Sequence, residues 1–308
     1  MILTVTLNPA LDCFFAPEQL EVGGISRYED YRFLPGGKGV NVSLLLSSLG
    51  METVAAGFGA GFTGRELVRL IEQEGCPADF TMLPQGSTRM NIKIRTAEGE
   101  ETDLNGAGAP LPAEAAEELE RKLDVLQPGD GLVLAGSLPP GLPKDTYARL
   151  LERVAGKSIL TVVDTAGKAL EAVLPCQPFL IKPNLDELGE LFGTEITELE
   201  AVAECAGELQ KKGAQNVAVS MGHKGAFLLC QDGRRLFCHA VRGEAVSTVG
   251  AGDSFVAGFL YGWQLHGTLD GALRWGICAG SATAFSPGLA TGSEVKGLYT
   301  QVGNVHMI

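Results

Sequence analysis

Gly250-Ala251-Gly252-Asp253 lies between Val246-Ser247-Thr248-Val249 and the apolar stretch from Ser254 to Tyr261. Small residues let a backbone approach an anion closely, and a helix beginning there aims its free N–H groups at the same spot. Asp253, at that helix start, could take a proton from a hydroxyl held beside a bound phosphate. Such parts suit phosphoryl transfer, where positioning and charge stabilisation supply most of the catalysis. The same four residues also read as a Gly-rich turn with Asp253 capping a helix.

Pro35-Gly36-Gly37-Lys38-Gly39-Val40-Asn41 is a second anion or polyol candidate. It is not a Walker A loop, because the four-residue gap before Gly-Lys and the following Ser/Thr are missing. Lys38 supplies a point charge and Asn41, one turn on, can bond hydroxyls. A plain helix start is the alternative. Asp12 closes Asn8-Pro9-Ala10-Leu11-Asp12 after a first strand, the end of a parallel strand where ligands usually bind, although an exposed turn Asp is the commoner case. Arg89, Asn91 and Lys93 share one strand face by the period of two. That face is either solvated or a phosphate site in which Arg89 forks onto the anion and Lys38 reinforces it.

Lys182-Pro183-Asn184-Leu185-Asp186-Glu187 follows another core strand, with Asn184 and Glu187 on one helix face at i,i+3. The pair could hold magnesium through its waters, or form a capping box. Ser220-Met221-Gly222-His223-Lys224-Gly225 offers two glycines that let backbone lie against phosphates or adenine. His223 has no Ser or Cys nearby in sequence and reads as a surface residue.

The elements that must position these groups alternate. Strands are expected over 2–7, 53–58, 131–135, 159–164, 179–182 and 216–220. Helices are expected over 40–49, 112–126, 143–154, 254–265 and 269–284, with one more ending near 213 and another, begun by a Thr63/Glu66 capping box, running to about 74. This predicts an α/β fold with a mostly parallel sheet covered by helices on both faces. Two stretches break the pattern, 13–34 and 88–105, the second with a Glu98-Gly99-Glu100 turn that reads as a hairpin. Both are taken as strands of a small sheet projecting as a lid from a single domain spanning 1–308; long surface loops are the other possibility.

At 308 residues with 45% hydrophobic and 20% charged residues, the chain has the composition of a globular enzyme with a large core. A net charge of −13 argues against nucleic acid or an anionic membrane as partner. Met1-Ile2-Leu3-Thr4-Val5-Thr6-Leu7 lacks a basic segment and reads as a strand, not a signal peptide. The seven cysteines are scattered without metal-ligand spacing, which points to reduced thiols in a cytoplasm and makes structural zinc improbable.

Together these motifs resemble the ribokinase-like (PfkB) carbohydrate kinase family, from Met1 to about Gly292. Gly36-Gly37-Lys38-Gly39-Val40-Asn41 is similar to its N-terminal signature, Ser247 through Ser254 to its highly specific C-terminal one, and Lys182-Pro183-Asn184 through Glu187 to its magnesium and phosphate motif. The resemblance implies a Rossmann-like three-layer core, a β-sheet lid that pairs two subunits in several members, ATP as donor with Mg2+, and Asp253 as base beside an anion hole from Gly250, Ala251 and Gly252. It implies that Asp12, Gly37, Lys38, Asn41, Arg89, Lys93, Asn105 and Ser137 line the substrate site. Lys182, Asn184, Glu187, Ser220, Gly222, Gly225 and Gly252 would serve the nucleotide, with Asn184 and Glu187 holding the metal through water. Thr6 through Asp12, Thr88 through Asn91 and Gly136-Ser137-Leu138-Pro139 resemble members acting on phosphorylated hexoses. Lys93, Thr102-Asp103-Leu104-Asn105 and Ser247-Thr248-Val249 look most like those acting on fructose 1-phosphate, then tagatose 6-phosphate, then fructose 6-phosphate. Ser247 stands where potassium-activated members carry Asp, so potassium activation is not expected. A non-catalytic sugar-phosphate sensor and a nucleoside kinase are the rival readings; the former needs no Asp253, the latter no Arg89.

Overall fold

The computed structural model describes the backbone of residues 1–308 and all side chains except those at positions 113, 114 and 116. The first half runs β1 (Ile2–Thr6), β2 (Ala10–Pro17), β3 (Tyr28–Gly36), α1 (Lys38–Leu49), β4 (Thr53–Ala60), α2 (Gly61–Gln73), β5 (Ala78–Leu83), β6 (Arg89–Arg95), β7 (Glu101–Asn105), α3 (Ala113–Lys122), β8 (Gly131–Ala135) and α4 (Thr146–Val154). The second runs β9 (Leu160–Asp164), α5 (Gly167–Val173), β10 (Leu180–Ile181), α6 (Leu185–Phe192), α7 (Leu199–Lys211), β11 (Asn216–Ser220), β12 (Ala226–Leu229), β13 (Arg235–Cys238), α8 (Ala251–His266), α9 (Leu269–Ala284), α10 (Gly292–Leu298) and β14 (His306–Met307).

Ten strands form one sheet in the order β14-β13-β12-β11-β10-β9-β8-β1-β4-β5. Pairing is parallel from β5 across to β11 and antiparallel at β12, β13 and β14. Alternate side chains feed opposite faces, as a strand's period of two requires. Leu3 and Val5 of β1 join Leu119, Leu151, Val173 and Leu209 on one side. Ile2 joins Leu45, Phe255, Phe259 and Leu273 on the other. The sheet is therefore covered on both faces, the three-layer α/β arrangement that the alternation predicts. Among the described residues no helix is long and apolar enough to cross a membrane.

Residues 13–34 and 88–105 contribute a second, four-stranded sheet, ordered β3-β2-β6-β7, with Glu98-Gly99-Glu100 in the turn between β6 and β7. Its strands run longer than the sequence pattern suggests: β2 starts at Ala10 and so contains Asp12. One local expectation fails. Thr63 and Glu66 do not cap α2, which begins two residues earlier, after Ala60. Thr63 Oγ1 instead donates to the Thr88 carbonyl at 2.8 Å, and Glu66 pairs with Arg69 at 2.7 Å. A partner 25 residues away in sequence outcompetes the local cap.

Helix α8, which carries Asp253, is held against α9 at glycine contacts. A Cβ at Gly262 would lie 2.7 Å from the Gly271 carbonyl, and one at Gly258 would overlap the Trp275 carbonyl. Neither helix can retreat, because Phe255 and Phe259 of α8 and Leu273 of α9 are buried against the sheet. Replacing Gly258 with Val should therefore lower stability by about 1–3 kcal/mol through overpacking. Thermal or urea unfolding checks this, and a midpoint equal to that of the parent would contradict the close approach.

Candidate active site

Gly250 caps α8 with φ 78°, the left-handed region that favours glycine. Of the three amides singled out from the sequence, that of Ala251 is engaged, donating to the Thr248 carbonyl at 3.2 Å. Those of Gly250, Gly252 and Asp253 find no protein acceptor among the described residues, so the head of this 16-residue helix offers them to an anion.

The Asp253 carboxylate is only 7% exposed, and its Oδ2 accepts a hydrogen bond from Asn41 Nδ2 at 2.7 Å. Burial pushes its pKa up to about 7, helped by the negative charge of Asp164 and opposed by the Asn41 bond and by Lys38 and Lys182. A buried carboxyl poised near neutrality is suited to take a proton from a hydroxyl.

Lys38 opens α1 and crosses the cleft. Its Nζ donates to Asp164 Oδ1 at 2.9 Å and to Glu187 Oε1 at 3.1 Å. Burial alone would lower the Lys38 pKa; Asp164 and Glu187 outweigh it and hold the ammonium above its ordinary value. Lys182, 3% exposed, places Nζ 3.4 Å from Asp164 Oδ2. The same ammonium would lie 3.3 Å from a Cβ at Gly252, so it rests against the anion-facing turn. Asp164 itself is fully buried and was not singled out from the sequence. The signal was available: it is a carboxylate closing a core strand, the same placement that marked Asp12.

Asn184 and Glu187 realise the capping box. Asn184 Oδ1 accepts from the Glu187 amide at 2.7 Å, and Glu187 Oε2 accepts from the Asn184 amide at 3.0 Å. With Oε1 taken by Lys38 and Oε2 by the Asn184 amide, both Glu187 oxygens are engaged, and among the described residues no three His, Cys, Asp or Glu side chains group to hold a metal. This donor set fits magnesium carried on nucleotide phosphates and met through its waters, the usual mode of that ion, and does not fit a direct protein cage.

The opposite wall comes from the small sheet. Asp12 pairs in register with Asn91, whose Nδ2 donates to Asp12 Oδ1 at 2.8 Å. Arg89 Nε donates to the Asn8 carbonyl at 3.1 Å, and Nη1 to the Gly106 carbonyl at 3.3 Å and Asn91 Oδ1 at 3.4 Å. Lys93 pairs with Asp103 at 3.0 Å. Arg89, Asn91 and Lys93 do share one face, with Asp12 beside them. Burial raises the Asp12 pKa against the Asn91 bond and the charges of Lys93 and Arg89, and burial lowers that of Arg89 against Asp12. Asp12 is therefore half-buried in a strand, not exposed in a turn. Asn105 lies opposite Asn91 in register and is exposed. Ser137 Oγ accepts from Asn8 Nδ2 at 3.3 Å. Gly37, φ 119°, has no room for a Cβ, which would lie 2.8 Å from Thr6 Cγ2.

Lys38 and Arg89 share no hydrogen-bond partner within the chain: Lys38 bonds to the carboxylates Asp164 and Glu187, while the carbonyls of Asn8 and Gly106 hold Arg89. At the end of β11, Ser220 bridges to Asn184. The Met221 amide donates to the Gly225 carbonyl at 2.8 Å, closing a tight loop. Gly222 and Gly225 adopt φ 56° and 119°, and His223 is exposed, as read from sequence.

The family described as pfkB family carbohydrate kinase matches residues 7–296. A 1-phosphofructokinase of Bacillus subtilis is 41% identical over 302 residues, 98% of both chains. A D-tagatose-1-phosphate kinase of Bacillus licheniformis is 36% identical over 310 residues, 100% of both. Phosphofructokinase-2 from Escherichia coli superimposes with a TM-score of 0.91 at 31% identity, covering 97% of this chain and 98% of the other. The chain belongs to the pfkB family of carbohydrate kinases.

Because the Asn41 bond favours the charged form of Asp253, its removal should raise the pH at which that carboxyl titrates. A 13C carboxyl titration by NMR should place Asp253 of the parent well above an ordinary Asp, and that of Asn41→Ala higher still. A midpoint unmoved or lowered in the variant would contradict the geometry.

Proposed function

We propose that this chain transfers the γ-phosphoryl group of ATP, carried with magnesium, to the 6-hydroxyl of D-fructose 1-phosphate, giving fructose 1,6-bisphosphate. The observation that carries the reading is the buried Asp253 beside free amides at the head of α8, in a chain whose relatives include several named 1-phosphofructokinase. In this reading Asp253 takes the proton of the attacking hydroxyl while Asn41 orients its carboxylate. The amides of Gly250, Gly252 and Asp253, with Lys182 against Gly252, stabilise charge on the transferring group. Lys38 acts from beside Glu187 at the nucleotide side. Magnesium would offset charge between the phosphates, with Asn184 and Glu187 reaching it through water; Ser220, Gly222 and Gly225 would border the nucleotide.

The far end of the sugar falls to the small sheet. Arg89 and Lys93 supply positive charge for the 1-phosphate, and Asp12, Gly37, Asn105 and Ser137 border the sugar hydroxyls. The second reading is a different ketose with the same phosphate. Two relatives are named D-tagatose-1-phosphate kinase, which keeps the phosphate at C1 and departs from the tagatose 6-phosphate alternative suggested by the sequence. The seven free thiols suit a cytoplasmic setting.

ATP consumption with fructose 1-phosphate, tagatose 1-phosphate, tagatose 6-phosphate and fructose 6-phosphate at equal low concentration tests the assignment. Fructose 1-phosphate should lead by about tenfold in kcat/KM, worth about 1.4 kcal/mol. A 6-phosphate in the lead would move the Arg89 and Lys93 contacts to the other end of the sugar. Asp253→Asn should lower kcat by about 100- to 10,000-fold with ATP binding kept, and retained turnover would remove Asp253 as the base.

The small sheet would act as a lid, and its outer face supports a homodimer. Phe15, Tyr28, Tyr31 and Phe33 form a chain of ring contacts there, with centroids 4.7 to 6.4 Å apart, and Tyr31 and Leu104 are each 56% exposed. Such an apolar patch on a folded surface marks an interaction site. Sedimentation should find a dimer for the parent and a monomer for Tyr31→Asp/Phe33→Asp; a monomeric parent would end this part of the reading.

A further inference from the structure

Asp164 is placed with little freedom. Its backbone carbonyl accepts from the Gly136 amide at 2.9 Å, and the Val163 carbonyl before it accepts from the Lys182 amide at 3.2 Å. Thr165 Oγ1 donates to the Gly136 carbonyl at 3.0 Å, and the Tyr147 hydroxyl reaches the carbonyls of Ala135 and Gly136 at 3.1 and 3.2 Å. Three adjacent strand ends are thus locked around one carboxylate. That carboxylate is fully buried and cannot itself touch a substrate. Each of its oxygens faces a different lysine: Oδ1 holds Lys38 at 2.9 Å, and Oδ2 lies 3.4 Å from Lys182 with no hydrogen-bond partner among the described residues. Lys38 goes on to Glu187, whereas Lys182 rests against Gly252.

A buried ion pair of this kind adds little net stability, because desolvating the charges offsets their attraction. Its geometric effect is larger. Lysine side chains carry four rotatable carbons, and a fixed carboxylate between two of them decides where both ammonium groups stand. We propose that Asp164 is a positioning residue for phosphoryl transfer: it anchors Lys38 on the Glu187 side and Lys182 on the Gly252 side of the place where the transferring group lies. The proposal rests on the kinase reading above and assigns no contact between Asp164 and substrate.

The groups facing Asp253 are few. Asn41 and Lys38 come from α1, Lys182 from the end of β10 and Asp164 from the end of β9; Asp164 raises the Asp253 pKa and the other three lower it. Removing the Asp164 charge therefore moves the Asp253 titration to lower pH. A loosened site would hydrate Asp253 and move its titration the same way, so the charge-keeping Asp164→Glu variant separates loss of charge from loosening.

The test compares Asp164→Asn and Asp164→Glu with the parent, each checked for a folded circular-dichroism spectrum. Asp164→Asn should lose 100-fold or more in kcat, keep the KM for fructose 1-phosphate within about threefold, and shift the acid limb of kcat/KM to lower pH. Asp164→Glu keeps the charge but displaces both oxygens, so it should lose kcat with the acid limb near its parental position. Parental kcat in either variant overturns the proposal, as does a kcat loss in Asp164→Asn with an unmoved acid limb. If Asp164→Asn does not fold, Asp164→Glu decides: a kcat loss at unchanged limb supports the proposal, and parental kinetics overturn it. A parent that phosphorylates no ketose phosphate would instead defeat the functional reading, which separates the two failures.

Discussion

Two carboxylates and two lysines, gathered at one end of a parallel sheet with all but Lys38 shut away from water, impose the condition that the rest of the molecule satisfies. Asp164 and Asp253 are fully and almost fully buried, and Lys182 nearly so. Isolated charges there would be expelled or neutralised. They persist because each is paired or hydrogen-bonded: Asp164 with Lys38 and Lys182, Lys38 again with Glu187, Asp253 with Asn41. The pairing stops short of Asp253. That carboxylate lacks a lysine of its own, so burial, helped by the like charge of Asp164, holds its proton affinity above that of a surface carboxylate.

Topology explains why these groups meet. The chain adds β4 and β5 on one side of β1, then returns to add β8 on the other, so the order reverses between β1 and β8. The loops leaving those two strands must diverge, opening the crevice in which α/β folds bind ligands. Asn8 stands at the end of β1 and Ser137 just beyond β8, and the two are hydrogen-bonded across the opening. Gly36 and Gly37 bring the start of α1 close enough for Lys38 and Asn41 to reach across the sheet ends, the first to β9 and the second to α8. The small sheet grows from the same place, since β2 begins four residues after β1 ends.

Much of this is legible in the amino-acid sequence because burial leaves a local trace. Core strands such as Gly131–Ala135 and Asn216–Ser220 are short apolar runs with polar ends, and their limits coincide with those read from the sequence. The period of two correctly puts Arg89, Asn91 and Lys93 on one face. The failures concern partners. Nothing near Lys38 says that its ammonium lies beside a carboxylate 126 residues on. Asp164 carries no motif around it; only its place at the end of a buried strand distinguishes it. Thr63 has the spacing of a cap, yet the Thr88 carbonyl, just ahead of β6, satisfies its hydroxyl instead. The antiparallel strands β12 and β13 escape the sequence pattern because an edge hairpin lacks the intervening helix that marks a parallel crossover.

The two walls of the site are built differently, and the difference has a mechanical meaning. Asp164, Lys182, Asn184 and Glu187 sit on strand ends and a capped helix of the main sheet, each tied by backbone bonds that a change in the small sheet does not disturb. Asp12, Arg89, Asn91 and Lys93 sit on two strands that pair only with other strands of the small sheet. Side-chain bonds between the two sheets are few: Arg89 to the Asn8 carbonyl, Asn8 to the Ala107 carbonyl beyond β7, Ala60 and Thr63 to Thr88 just ahead of β6, and Arg32 to the Pro287 carbonyl at 3.2 Å. If the small sheet is the lid proposed above, its rotation would move Arg89 and Lys93 while Asp164, Lys182 and Glu187 stay with the main sheet. The reacting chemistry would then be preorganised in the main wall, where fixed dipoles and charges are most effective, and adjustment to the bound molecule and exclusion of water would fall to the small sheet.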